Sequence, residues 1–110
     1  MDDVKNLLGM IGICRRAGKT VIGADMVCEH LRKRGKKSIE DEKIDILVLE
    51  AADTSENTHK KLSDKCIFYN VKHIRLQLEG AALGKAVGKD YAAAIAVNDA
   101  NMCRAILEKI

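Results

Sequence analysis

The sequence predicts an α/β domain with helices on both faces of a small sheet. Two runs, Ile44 to Leu49 and Ala92 to Val97, carry the nearly unbroken apolar pattern of strands buried on both sides. Around them, apolar residues recur at helical spacing, and Gly18, Gly35 and Gly88 punctuate the segments. Strands alternating with helices define the class.

Val4, Leu7, Leu8, Ile11 and Cys14 follow the i, i+3, i+4, i+7 rule and predict a first helix from about Asp2 to Arg16, stopped by Gly18. Thr20-Val21-Ile22 is a short β-branched stretch. Gly23 opens a second helix whose inner face is Ala24, Val27, Cys28 and Leu31, with a stop near Gly35. The glycine- and charge-rich stretch from Gly35 to Lys43 reads as an exposed loop. After the strand at Ile44 to Leu49, Asp53-Thr54-Ser55-Glu56 supplies side-chain oxygens for a helix start, and that helix runs to about Cys66. Ile74, Leu76 and Leu78 alternate with Arg75 and Gln77, the pattern of a half-exposed strand. Ala82, Leu83, Ala86 and Val87 suggest a short helix ending at Gly88. A last helix, opened by Asn98 or Asp99, turns Cys103, Ile106, Leu107 and Ile110 inward.

A chain of 110 residues accommodates one domain, here spanning 1–110. Hydrophobic residues make up 47% and charged residues 32%, a compact rather than a disordered composition. Aromatics are 3%, with no Trp, so the core must be aliphatic. No stretch approaches the roughly 20 apolar residues of a membrane span, and Met1-Asp2-Asp3 lacks the basic start of a signal peptide. A cytoplasmic protein without membrane contact is expected. Cys14, Cys28, Cys66 and Cys103 form no Cys-x-x-Cys pair, which speaks against a zinc ribbon; they read as four reduced core residues. His30, His59 and His73 lie on separate elements and read as ordinary surface histidines. No catalytic constellation, metal site or cofactor is expected.

The distribution of charge says more than its sum. From Arg15 to Lys37 there are eight basic residues against Asp25 and Glu29, a net of +6, while the whole chain carries +3. Such asymmetry points to a polyanionic partner. Gly18-Lys19-Thr20 invites a phosphate-loop reading, but that motif requires a glycine where Ile13 stands, and a strand where a helix is predicted. Gly84-Lys85-Ala86-Val87-Gly88-Lys89 does not match the dinucleotide fingerprint; it is either a closely packed small-residue helix or a backbone-lined anion site flanked by Lys85 and Lys89. The most informative segment is Arg15 to Val27: a basic turn, a short strand and a glycine at a helix start. Amides of Gly23, Ala24, Asp25 and Met26, with the positive end of the helix dipole, attract an anion, and Arg15, Arg16 and Lys19 add charge beside them.

Several pieces now align in order: Leu7-Leu8-Gly9, Arg16-Ala17-Gly18-Lys19, Gly23, Leu47 through Thr58, Lys65-Cys66, and Leu83 through Lys89 followed by the alanine-rich strand. Over nearly its whole length the chain resembles the kink-turn-binding ribosomal protein family, the L-seven-Ae and L-thirty-e proteins, and within it the small bacterial YlxQ-type branch. The resemblance implies a three-layer α/β/α sandwich with a small mixed sheet. It also implies binding of structured RNA with no enzymatic activity. Ribosomal RNA or another kink-turn-like element as the partner, a ribosome- or translation-associated role and a monomer are expected. The family's RNA-reading helix begins Gly-x-Asn-Glu-x-x-Lys, the Asn and Glu reading sheared G·A pairs. Gly23 matches, while Asp25, Met26 and Glu29 stand at the Asn, Glu and Lys positions. The family's second contact loop falls on Gly88-Lys89-Asp90-Tyr91. The RNA-contacting candidates are therefore Arg15, Arg16, Lys19, Gly23, Asp25, Met26, Glu29, Lys85, Lys89 and Tyr91. The competing reading is a protein-interaction scaffold that has lost kink-turn recognition.

Overall fold

The computed structural model describes residues 2–36 and 44–110. In chain order the elements are α1 (Asp2–Arg16), β1 (Thr20–Ile22), α2 (Ala24–Arg34), β2 (Leu47–Glu50), α3 (Glu56–Phe68), β3 (Lys72–Arg75), α4 (Gly80–Ala86), β4 (Ala94–Val97) and α5 (Ala100–Leu107). The strands form one sheet in the order β1-β4-β2-β3. β2 and β3 are parallel, and β4 runs antiparallel to both β1 and β2, so the sheet is mixed.

Successive side chains of a strand point to opposite faces, and this alternation divides the core in two. Leu47, Leu49, Ile95 and Val97 face Leu7, Ile11 and Cys14 of α1, Leu83 of α4, and Cys103 and Ile106 of α5. Val48, Ala94 and Ala96 face Val27 and Leu31 of α2 and Leu62 and Cys66 of α3. The result is the expected three-layer α/β/α sandwich. All four cysteines are buried and reduced. Burial pushes the Cys66 thiol up to about 12 and the Cys103 thiol up to about 11. Among the described residues no helix is long and apolar enough to cross a membrane.

Several boundaries differ from expectation for physical reasons. β2 starts at Leu47, opposite Lys72, the first residue of β3, and Val97, the last of β4, and Ile44 is exposed. β2 also continues through Glu50, a charged residue closing a buried strand. β3 occupies Lys72–Arg75 rather than Ile74 to Leu78. Beyond Arg75 the ladder ends because β2 itself turns off toward α3, although Leu76 N still donates to Glu50 O. β4 is shorter at its start, where Ala92 N donates instead to Gly80 O. Ile110 lies past the end of α5 and is exposed, so it is not part of the inner stripe. The expected loop from Gly35 to Lys43 lies, over 37–43, outside the described residues.

Helix starts are held by side chains. Ser55 Oγ accepts from Thr58 N at α3, and Asp99 Oδ1 accepts from Met102 N at α5. The seven-residue α4 has no cap from Glu79; Gly80 N instead donates to Asp53 Oδ1, at 2.7 Å, from the connection after β2.

Candidate functional site

α1 ends in Arg15 and Arg16, and Gly18 turns the chain into β1 with φ +72°. Asn98 N donates to Lys19 O, which seats this turn beside the end of β4. α4 ends in a second left-handed glycine turn at Gly88, φ +74°. The Arg15 side chain, from the last turn of α1, reaches this second turn: a methyl group at Gly88 would lie 3.9 Å from Nε and Nη2 of Arg15. Farther back, α1 and α4 cross closely, since a methyl at Gly12 would lie 3.3 Å from Ala86 O. Arg15, Arg16, Lys19, Lys85 and Lys89 are all exposed. Among the described residues, none of them has a carboxylate within ion-pair distance.

The β1–α2 junction is arranged differently from the expected anion cradle. Gly23, at φ +101°, begins α2, but its amide donates to Ala94 O at 2.8 Å and is part of the sheet edge. Only the amides after it remain at the uncapped helix start. That contact places Gly23 beside the entry of β4, so the start of α2 adjoins the connection that follows Gly88. Lys19 sits at the opposite end of β1, four residues from Gly23 and thus roughly 13 Å away along an extended strand. The basic residues make a rim rather than a point.

Asp25 and Glu29 do not present bare negative charge. Lys61 of α3 pairs with Asp25, and its hydrogen bond holds the Asp25 carboxyl below the usual range. Arg32 does the same for Glu29 one turn along α2. Met26, 59% exposed, stands between them. Tyr91 follows Lys89 and Asp90 in the chain, but its ring is placed elsewhere. Its backbone would meet a methyl at Gly84 at 2.7 Å, and its ring would meet one at Gly80. The side chain therefore runs along α4 toward the helix start, away from the Gly88 turn. There partial burial, and secondarily the Asp53 carboxylate, raise its phenol above the usual range.

A second cluster went unread in the sequence and corrects the assignment of His59 and His73 as plain surface residues. The Glu50 side chain is fully buried. His73 Nε2 lies 2.8 Å from Glu50 Oε1, and His59 Nδ1 lies 2.9 Å from both carboxylate oxygens. Thr54 Oγ1 donates to Oε2, and Arg75 Nε lies 3.4 Å from the same oxygen. Burial acts to raise the Glu50 carboxyl, but the hydrogen bonds from Thr54, His59 and His73 outweigh it and hold the group below the usual carboxylate range. The available signal was Glu50 itself, since a carboxylate closing an apolar strand must find donors.

Comparison with known proteins gives the following. No family model matches the chain. It is 36% identical over 90 residues to "RNA-binding protein YlxQ" of Bacillus subtilis (strain 168), covering 82% of this chain and 80% of the relative. It is 33% identical over 82 residues to "RNA-binding protein YlxQ" of Enterococcus faecium, covering 74% and 70%. Among solved structures, a protein of unknown function from Bacillus halodurans C superposes with a TM-score of 0.77 at 26% identity, covering 94% of each chain. The Giardia lamblia 15.5kD RNA binding protein superposes with a TM-score of 0.69 at 15% identity, covering 99% of this chain and 85% of the other, a likeness of fold.

Proposed function

The chain belongs to the YlxQ family, a bacterial branch of the L-seven-Ae and L-thirty-e type, and from that premise we propose that it binds structured RNA without catalysing a reaction. The observation that carries this reading is the nearness of the Arg15 guanidinium to Gly88, which brings together two exposed basic segments that, among the described residues, have no carboxylate partner. Arginine forks can engage phosphate oxygens in pairs, and lysines act beside them as mobile point charges. The amides at the start of α2 extend the rim for a further phosphate. With so few aromatic residues, recognition works through shape and phosphates rather than by stacking single-stranded bases.

The RNA is proposed to be ribosomal, or another kink-turn-like element, met in the cytoplasm by a monomer in a translation-associated role. Gel-shift titration of the full chain against structured ribosomal RNA fragments, one holding a kink-turn, tests this at several salt concentrations. Affinity is expected to fall steeply with salt as counterions are released. A flat response, or no binding to any folded RNA, rejects the reading. The exposed Met26 between two ion-paired acids favours a second reading, a protein-interaction scaffold of the same fold. Partners retained after nuclease treatment, with no RNA in the untreated sample, would select it.

A further inference from the structure

We propose that Glu50, His59 and His73 form a binding site for a divalent transition-metal cation, with zinc the ion whose chemistry suits the donors best. This site is separate from the basic rim and does not depend on the RNA reading. The three residues come from three elements. Glu50 closes β2, His73 lies on the adjacent strand β3, and His59 descends from the first turns of α3. Glu50 shares a sheet face with Val48, whose partner in the register is His73, so both side chains point under α3.

The donor atoms are already gathered. One carboxylate oxygen, His59 Nδ1 and His73 Nε2 all lie within 4.8 Å of one another. Bonds of roughly 2.0–2.2 Å from a tetrahedral zinc place its ligand atoms about 3.3 Å apart. The 2.8 and 2.9 Å contacts from nitrogen to Oε1 need open by only a few tenths of an ångström, on the order set by those bond lengths. The two carboxylate oxygens also have different surroundings. Thr54 Oγ1 and Arg75 Nε hold Oε2, which also lies 2.9 Å from His59 Nδ1, while among the described residues Oε1 meets the two imidazoles alone. That is the outer-shell anchoring that fixes a metal-bound carboxylate.

Two imidazoles and one carboxylate select zinc or a neighbouring transition ion over magnesium or calcium, which prefer oxygen cages. The Arg75 guanidinium opposes a second positive charge and so adds to this selection, because only an ion bonding strongly to nitrogen offsets it. Arg75 is tied down by the carbonyls of Ala52 and Thr54 as well as by Glu50. The side chain of His59 is 39% exposed and that of His73 14%, which leaves an entry path from solvent and room to complete the coordination with water. Binding requires both coordinating nitrogens to be free of protons.

The test uses the full chain stripped of metal and titrated with cobalt(II), followed by displacement with zinc. The expected result is one equivalent of cobalt with visible d–d absorption and no sulfur-to-metal charge-transfer band. His59→Gln and His73→Gln should each weaken binding by more than the roughly 10–100-fold that outer-shell partners contribute, while Lys89→Ala should bind cobalt like the wild type. No d–d band, a band indifferent to both histidine variants, or an intense thiolate band pointing to the cysteines would each overturn the proposal. If the variants do not fold, imidazole NMR of the wild type decides. Zinc should shift His59 and His73 and leave His30 in place; unmoved His59 and His73 signals refute the site.

Discussion

On the α2–α3 side of the sheet, charges meet. Asp25 pairs with Lys61, Glu29 with Arg32, Lys60 with Asp64, and Glu50 gathers His59, His73, Thr54 and Arg75. Around the α1–α4 crossing they stand alone, with Arg15, Arg16, Lys85 and Lys89 exposed and, among the described residues, unpaired. The contrast separates two uses of charge. The buried Glu50 cluster ties strand ends to α3 and the exposed pairs mask charge, whereas the cations on the other side have, among the described residues, no carboxylate to pair with and are available to a polyanion.

The contrast is most sharply tested at Glu50. Glu50→Ala removes a buried carboxylate and strands its donors, and should lower unfolding free energy by about 3 kcal/mol in urea titrations followed by circular dichroism. RNA affinity of the folded fraction should not change. Gly84→Ala comes next. Its methyl would lie 2.7 Å from the Tyr91 backbone, which cannot swing aside as a side chain can. Overpacking of up to about 3 kcal/mol against about 1 kcal/mol of helix propensity leaves a net loss of about 2 kcal/mol by the same titration. Gly80→Ala should cost less, because there the obstacle is the half-exposed Tyr91 ring.

Acid titration gives a smaller signal. The Glu50 carboxyl is held below its ordinary value in the folded chain, so its stabilisation is fully present above the unfolded carboxylate pKa and is lost as pH falls through the folded one. Unfolding midpoints measured down this range should decline in the wild type, and the decline should be shallower in Glu50→Gln. On the other side of the contrast, Arg15→Ala, Lys19→Ala and Lys89→Ala should each weaken RNA binding and reduce the log–log salt slope by about 1, with unchanged melting temperature. The least effect is expected from Asp25→Asn. Its exposed pair with Lys61 should leave the melting temperature where it is, while freeing Lys61 should raise RNA affinity slightly in gel shifts.

Much of the architecture was legible because periodicity reports burial. α1, α2 and α5 declared themselves by apolar spacing, and β2 and β4 by runs that only a doubly covered strand tolerates. β3 was misplaced because its residue facing α3, His73, is polar, and hydrophobic alternation has no symbol for a side chain buried against a carboxylate. The basic segments could be anticipated from Gly18, Lys19, Gly88 and Lys89, yet the approach of Arg15 to Gly88 depends on how α1 crosses α4. The pairing of Asp25 with Lys61 and the meeting of His59 with His73 depend on sheet register and on the packing of α2 against α3. Those relations join residues far apart in sequence, and no local pattern encodes them.

The hydrogen bond from Gly80 N to Asp53 Oδ1 bears on the order in which the chain assembles. At seven residues, α4 is far below the length at which an isolated helix persists in water. Its first turn is completed by an acceptor 27 residues earlier in the chain, so it becomes secure only once the segment leaving β2 has taken its native path. Backbone amides of α4 should then be among the later ones to gain protection when the chain refolds, and the Gly88 bend that follows inherits that timetable.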